Sequence, residues 1–171
     1  HSLKKRNMKK LKDLMSKFGA SFFPSNKNTF PLKMLSSKFP IGIKYKAGVS
    51  AQLKSAVMLA GLNSYGITSI KETISSRDHT ENMLLSNKKS IKILKNIKGK
   101  KIKIIGKNEI ESFNWNIPGD PSSAAFFTTL TLLNKNSSLK IKNVGLNKTR
   151  TGFYEILKKQ KANIKVVFRR I

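Results

Sequence analysis

The strongest constraint on the fold is an internal repeat. Ser50 begins an apolar helix that is followed by a turn, a strand and a second helix with Arg77 at its start; Ser122 begins the same series, which ends with Arg150. The two serines are 72 residues apart and the two arginines 73. A repeat of that length is too long for a solenoid and suits a small layered α/β unit. Arg6 occupies the corresponding place near the start, so we expect the chain to begin part-way through a repeat and to be an internal piece of a longer protein.

The first apolar helix is predicted to run from Ser50 to about residue 60. Serine is a favoured N-cap residue, and Gly61 is available to end the helix. The residues between them are apolar on nearly every side, so we expect protein to cover this helix all round. A strand predicted at 68–74 should then carry the next helix start to the same end of the layer.

The second helix start is rich in charged side chains. Ser75 and Asp78 resemble a capping box, and Asp78 and Glu81 suit the positive end of the helix dipole. Arg77 opposes that dipole, so its position is best explained if an anion binds there, held by backbone N–H groups and the guanidinium. Two plainer alternatives stay open: Ser50 and Ser75 are caps only, or Arg77 pairs with Glu81 at i, i+4.

The remaining pattern mixes short helices and strands. A helix over 2–18 should end at Gly19, and Asp120 as N-cap with Pro121 at the first helical position should open the second apolar helix. A helix predicted over 149–159 has an apolar face that should be buried, formed by Phe153, Ile156 and Leu157. Further strands are predicted at 20–23, 30–35, 41–45, 91–94, 101–105, 112–116, 139–144 and 164–168. The pattern indicates an α/β (α+β) fold.

The chain is strongly basic, with 35 Lys and Arg against 8 Asp and Glu and a net charge of +27. Such an excess is typical of proteins that bind nucleic acid, anionic membranes or acidic substrates. A compositional drift of surface positions explains it equally well, because the basic residues do not cluster in blocks. The aromatic residues fall on apolar faces and no RRM, KH or helix-turn-helix signature is present, which disfavours a nucleic-acid module.

Several other classes of site are disfavoured by composition. The chain has no cysteine and only two histidines, His1 and His79, so it offers no disulfide framework and no zinc constellation. A lone histidine in a first helical turn is more often structural than catalytic, so His79 is given no role. No apolar run approaches the length of a membrane span and no signal peptide is recognisable. We expect a cytoplasmic protein without membrane contact.

Three segments carry a family resemblance: SAQLKSAVMLAGL followed by G-x-T-x-x-x-E and SRDHTENML, then IPGDPSSAAF, and last NKTRTGF. They resemble the EPSP synthase (3-phosphoshikimate 1-carboxyvinyltransferase) family, in one order over essentially all 171 residues. The related enolpyruvyl transferases that act on a UDP-sugar share the repeat architecture, but SAQ together with SRDHTE favours the shikimate enzyme.

The resemblance implies a specific architecture. Enzymes of this family have two lobes, each built of three βαβαββ units with helices packed inside the sheets, and substrates bind between the lobes. Residues 1–117 would then be the later part of the N-terminal lobe, and 118–171 the crossover and first repeat unit of the C-terminal lobe. The chain would form an incomplete inverse α/β barrel.

The resemblance also implies a reaction and a substrate site. The enzyme transfers the enolpyruvyl group of phosphoenolpyruvate to the 5-hydroxyl of shikimate 3-phosphate, with no metal or cofactor, and the whole protein is expected to be a monomer. Ser50, Ala51, Gln52 and Arg77 would bind shikimate 3-phosphate, and Gln52 also phosphoenolpyruvate. The family's catalytic residues have no counterpart in this sequence, so we expect the chain alone to be inactive. Asp120 and Arg150 are explained by capping and local structure.

Overall fold

The computed structural model describes residues 2–97 and 99–167. They fall into two compact units, His1–Ser112 and Phe113–Ile171. The assignment of 1–117 and 118–171 to two lobes of a larger protein stays a prediction.

The described residues of unit one form three α-helices and six strands. A 3-10 helix spans Ser2–Lys5, and the helices are α1 (Lys9–Ser16), α2 (Ala51–Leu62) and α3 (His79–Leu84). The strands are β1 (Ser21–Phe23), β2 (Lys33–Leu35), β3 (Lys44–Ala47), β4 (Ile67–Glu72), β5 (Ile91–Asn96) and β6 (Gly99–Ile105). Residues 44–105 therefore form one complete βαβαββ unit, in the order β3, α2, β4, α3, β5, β6.

The strands of that unit form one open sheet in the order β3-β4-β6-β5. β3 and β4 are parallel, and the other neighbours are antiparallel. β1 and β2 form a separate antiparallel pair. Within the described residues neither sheet closes into a barrel.

The core of unit one lies where α2 packs on the sheet. Val57 and Met58 of α2 are fully buried, as are Ile70 and Ile102, which face each other in the β4–β6 register. Gly61 lies inside α2 rather than ending it, which corrects the predicted stop. A side chain at this position would lie 2.9 Å from the Cβ of Thr68, so the glycine permits close packing of helix on strand.

Several local predictions for unit one are wrong. The predicted helix over 2–18 is divided, because Arg6 and its neighbours lie between the 3-10 helix and α1. Ser75 is exposed and does not cap α3, whose N-cap residue is Asp78. α2 is not covered all round within this chain, since Leu59 is 53% exposed. The long strands β4, β5 and β6 confirm three of the predicted strands.

Unit two contains the helices α4 (Pro121–Leu133) and α5 (Gly152–Lys159). Asp120 is the N-cap of α4, as predicted, and its carboxylate accepts a hydrogen bond from the Ser122 N–H at 3.0 Å. Residues 113–116, 139–144 and 164–167 form no strand, and Phe168 lies outside the described residues. Gly119 and Val144 form an isolated parallel bridge. Among the described residues of unit two, no strand lies beside this bridge to extend it into a sheet.

The predicted buried face of α5 is largely exposed in unit two. Ile156 is 61% exposed and Phe153 is exposed as well, while Leu157 is half-buried. The same holds for α4, where Phe126 is 78% exposed. The apolar periodicity of both helices is real, but the described residues of this unit do not bury it.

Candidate functional site

Ser50 opens α2 as the sequence predicted. Its backbone is extended, and its hydroxyl accepts a hydrogen bond from the Leu53 N–H at 3.3 Å. Capping uses one lone pair of the hydroxyl and leaves its proton available to a ligand. Ala51 is half-buried and Gln52 is exposed at the surface of the first helical turn. The other free N–H groups of this turn make it a favourable place for an anion.

Arg77 lies just before α3, and its side chain is exposed. Among the residues that the structure describes, it makes no hydrogen bond and no ion pair. The alternative in which Arg77 pairs with Glu81 is wrong, because the Glu81 carboxylate is buried and contacts Lys54 at 2.6 Å and Lys100 at 3.0 Å. The guanidinium is therefore free to bind an anion.

The sheet brings the two helix starts to one edge. Ala47 and Glu72 are paired at the carboxyl ends of the parallel strands β3 and β4. Ser50 follows the first strand end and Arg77 follows the second, so both segments leave the sheet on the same side. The second turn of α2 contacts the first turn of α3, because the Ser55 and Thr80 hydroxyl oxygens are 2.7 Å apart. This confirms the predicted juxtaposition of the two starts.

A buried cluster of four charged side chains lies directly beneath these helix starts. Lys54, Glu72 and Glu81 are 0%, 1% and 1% exposed. Lys54 Nζ is 2.8 Å from Glu72 Oε1 and 2.6 Å from Glu81 Oε1. Lys100 Nζ is 2.8 Å from Glu72 Oε2 and 3.0 Å from Glu81 Oε1. Two lysines and two glutamates make the cluster neutral, as burial requires.

The cluster holds Glu72 in its ionised form. Burial favours the neutral acid, but hydrogen bonds from Lys100, Lys54 and Ser76 outweigh burial and lower the pKa of Glu72 to about 2. Burial likewise acts to lower the pKa of Lys100, and the two glutamates more than offset it, so that this pKa is raised. Glu72 and Lys100 therefore stay charged across the physiological pH range.

Sequence reasoning missed this cluster. A signal was present, because Lys54 is the one charged residue in a predicted helix that is otherwise almost wholly apolar. A buried lysine needs a carboxylate partner, and Glu72 and Glu81 are two of the three acidic residues that follow it most closely along the chain. What the sequence could not supply is the crossing of α2 over β4 that brings them together.

In unit two the corresponding arginine is engaged within the protein. Arg150 Nη2 donates to the Asp120 carboxylate at 2.5 Å and to the Ser122 hydroxyl at 2.7 Å. These contacts join the start of α4 to the segment before α5. They support the interpretation that Asp120 and Arg150 serve local structure.

Three further observations concern the described residues. His79 is the first residue of α3 and is exposed, with no contact that would make it an acid or base. Across 2–97 and 99–167, no group of three or more His, Asp or Glu side chains could hold a metal ion. No helix in these ranges is both long and apolar enough to cross a membrane.

Comparison with known proteins identifies the family. The family model described as EPSP synthase (3-phosphoshikimate 1-carboxyvinyltransferase) matches residues 1–168. The chain belongs to the EPSP synthase family. The 3-phosphoshikimate 1-carboxyvinyltransferase of Petrotoga mobilis is 40% identical over 174 residues, and that of Novosphingobium aromaticivorans is 39% identical over 171 residues. The predicted family is confirmed.

A solved EPSP synthase confirms the mixed α/β fold. The structure of EPSP synthase from Acinetobacter baumannii matches 99% of this chain with a TM-score of 0.78 and 35% identity. The chain spans 38% of the length of that enzyme and 38% to 39% of the two EPSP synthase relatives named above.

Proposed function

We propose that this chain forms part of a 3-phosphoshikimate 1-carboxyvinyltransferase, and that the edge where β3 and β4 end binds the substrate shikimate 3-phosphate. The whole enzyme would transfer the enolpyruvyl group of phosphoenolpyruvate to the 5-hydroxyl of that substrate and release phosphate. The observation that carries the proposal is the exposed Arg77, which has no ion pair among the described residues and follows β4 at the sheet edge where the capped start of α2 follows β3. Membership of the EPSP synthase family supports the reaction.

The roles of the site residues follow from their chemistry. Arg77 offers a planar fork of N–H donors that matches a phosphate or carboxylate. Ser50 offers a hydroxyl proton beside the free N–H groups of the first turn of α2. Ala51 adds one of those backbone donors. Gln52 is exposed next to them and has an amide that can both donate and accept, which suits contact with shikimate 3-phosphate and phosphoenolpyruvate.

The described residues bind and orient rather than transfer protons. The residues that carry out proton transfer in the family have no counterpart in this sequence. We therefore assign no catalytic residue to this chain and expect it to be inactive alone. The whole enzyme would be a cytoplasmic monomer that needs no cofactor and binds small anions, not nucleic acid or membranes. Residues 1–117 and 118–171 would belong to its two lobes.

The experiment is a titration of the 171-residue chain with shikimate 3-phosphate, followed through its backbone amide NMR signals. Shifts should centre on Ser50, Gln52 and Arg77. The Arg77→Ala variant should bind about 10 to 100 times more weakly, since a charged hydrogen bond contributes about 1.5 to 3 kcal/mol. Lys88→Ala, which removes one exposed positive charge elsewhere in unit one, is the matched control and should bind like the wild type. Equal affinities of the two variants would refute the assignment of Arg77.

A further inference from the structure

The residue that precedes Arg77 is held by the buried cluster. Ser76 donates two hydrogen bonds to Glu72 Oε1, from its backbone N–H at 3.0 Å and from its hydroxyl at 2.7 Å. Glu72 is the last residue of β4 and is itself buried. These bonds hold the backbone immediately before Arg77, although the Arg77 side chain is exposed.

The same carboxylate is tied to the other half of the candidate site. Lys54 contacts both Glu72 and Glu81, and it lies in α2 four residues after Ser50. Glu81 lies in the first turn of α3. The cluster thus connects three segments that carry or flank the predicted substrate contacts: the start of α2, the end of β4 and the start of α3.

The second repeat lacks the buried cluster, and its arginine is bonded differently. The parallel pair Ala47 and Glu72 corresponds, 72 residues later, to the bridged pair Gly119 and Val144. Val144 has no carboxylate that could hold the following segment, and Phe126 stands at the position of Lys54. In this second repeat the arginine itself makes the connection, through its bonds to Asp120 and Ser122. Of these two repeats, the one with the buried glutamate leaves its arginine without a side-chain hydrogen bond or ion pair among the described residues.

We infer that the cluster of Lys54, Glu72, Glu81 and Lys100 positions Arg77 for the anionic substrate, and that Ser76 transmits this positioning. The inference rests on the proposed function, in which Arg77 binds shikimate 3-phosphate. None of these five residues needs to touch the substrate; they are positioning residues. A backbone that is fixed before binding loses less conformational freedom when the arginine closes on a phosphate, which increases affinity.

The test uses Ser76→Ala in the 171-residue chain, with Ser75→Ala as the matched control. Ser75 is the exposed neighbouring serine, with no hydrogen bond to the cluster. Ser76→Ala removes one of the bonds to Glu72 and leaves both lysine contacts, so the chain should stay folded. We expect the dissociation constant for shikimate 3-phosphate to rise about three- to tenfold, the effect of one hydrogen bond. Ser75→Ala should change it less than about twofold.

A second readout separates positioning from general stability. The backbone N–H order parameter of Arg77, measured by ¹⁵N relaxation without ligand, should fall in Ser76→Ala while those of β4 and β6 stay constant. In an Arg77→Ala background, Ser76→Ala should have no further effect on binding, because the two changes act through the same contact. Glu72→Gln should weaken binding by more than Ser76→Ala, but it also breaks buried ion pairs, so Ser76→Ala remains the decisive variant.

The outcomes distinguish the inference from the proposal on which it rests. If Arg77→Ala weakens binding and Ser76→Ala does not, the substrate site stands and the positioning role is overturned. If Ser76→Ala weakens binding by the same factor with and without Arg77, it acts through the fold, and the positioning role is again overturned. If the wild type shows no localised binding, or Arg77→Ala leaves it unchanged, the proposed function itself fails for this chain.

Discussion

Acid should weaken the chain through Glu72 over a defined pH range. The folded-state pKa of this carboxyl is about 2, against 4.5 for an ordinary glutamate. A folded pKa below the unfolded value gives stability that is present above the unfolded pKa and is lost as the pH falls through the folded one. The difference of about 2.5 pKa units corresponds to about 3 kcal/mol. This stabilisation should disappear between about pH 5 and pH 2.

Urea denaturation of the wild type and of Glu72→Gln at several pH values tests this prediction. At pH 6 the variant should be less stable by about 3 to 5 kcal/mol, because it leaves Lys54 and Lys100 with one carboxylate between them. At pH 2.5 the difference should be smaller by about 2 to 3 kcal/mol, because the carboxyl of the unfolded chain is then protonated while that of the folded chain is still mostly ionised. Glu109→Gln removes an exposed carboxylate and should differ from the wild type by less than about 0.5 kcal/mol at neutral pH.

A direct titration of Glu72 in the wild type tests the same pKa without relying on the stability of the Glu72→Gln variant. The ¹³C carboxyl signal of Glu72 in the folded wild type should show its midpoint near pH 2. A midpoint near 4.5, or a stability difference that is the same at pH 6 and pH 2.5, would refute the view that the lysines and Ser76 hold this carboxylate ionised.

Two other perturbations follow from single contacts. Alkali should weaken the chain, because the folded-state pKa is raised above 10.5 for Lys100 and above 10.0 for Tyr45. The stability that these shifts give is present below the unfolded pKa values and is lost as the pH rises. The free energy of unfolding in urea should therefore be lower at pH 11 than at pH 9, and an equal value would contradict both shifts. Gly106→Ala would place a Cβ 1.8 Å from the Ser64 carbonyl oxygen and should destabilise unit one by about 1 to 3 kcal/mol in the same assay, whereas Gly48→Ala, whose Cβ meets nothing within 4 Å, should not destabilise it.

Local sequence signals predicted the repeat unit well. The Ser50 and Asp120 caps depend on a side chain and the next turn of its own helix, and both form as expected. The alternation along β4 and β6 identified those strands because one face is buried against α2. The position of Ser50 and Arg77 after the same sheet edge was also predictable, since parallel strands that are joined by a helix end at the same edge.

The failures share a physical cause, which is that the deciding partner lies far away in sequence. Ser75 has the residue type of a cap, yet the neighbouring Ser76 makes the hydrogen bonds, from its N–H and its hydroxyl to Glu72. Gly61 resembles a helix stop, but close packing on Thr68 keeps it inside α2. The segment 139–144 alternates apolar and polar residues like a strand, and it stays irregular because a single bridge pairs with it among the described residues of unit two.

The structure also bears on the origin of the positive charge. The chain has only 8 acidic residues. Five of them hold defined positions in the fold: Glu72 and Glu81 in the buried cluster, Asp78 and Asp120 at helix N-caps, and Glu155 in a hydrogen bond with Thr151.

The other three acidic residues, Asp13, Glu109 and Glu111, are exposed. Acidic side chains are therefore kept mainly where a contact within the fold requires a carboxylate, and they are scarce at other surface positions. A drift of surface composition toward lysine produces this distribution, whereas selection for a nucleic-acid surface would concentrate the basic residues on one face. The net charge of +27 is thus compatible with the proposed site for small anions, in which the specific contribution would come from Arg77 and the start of α2.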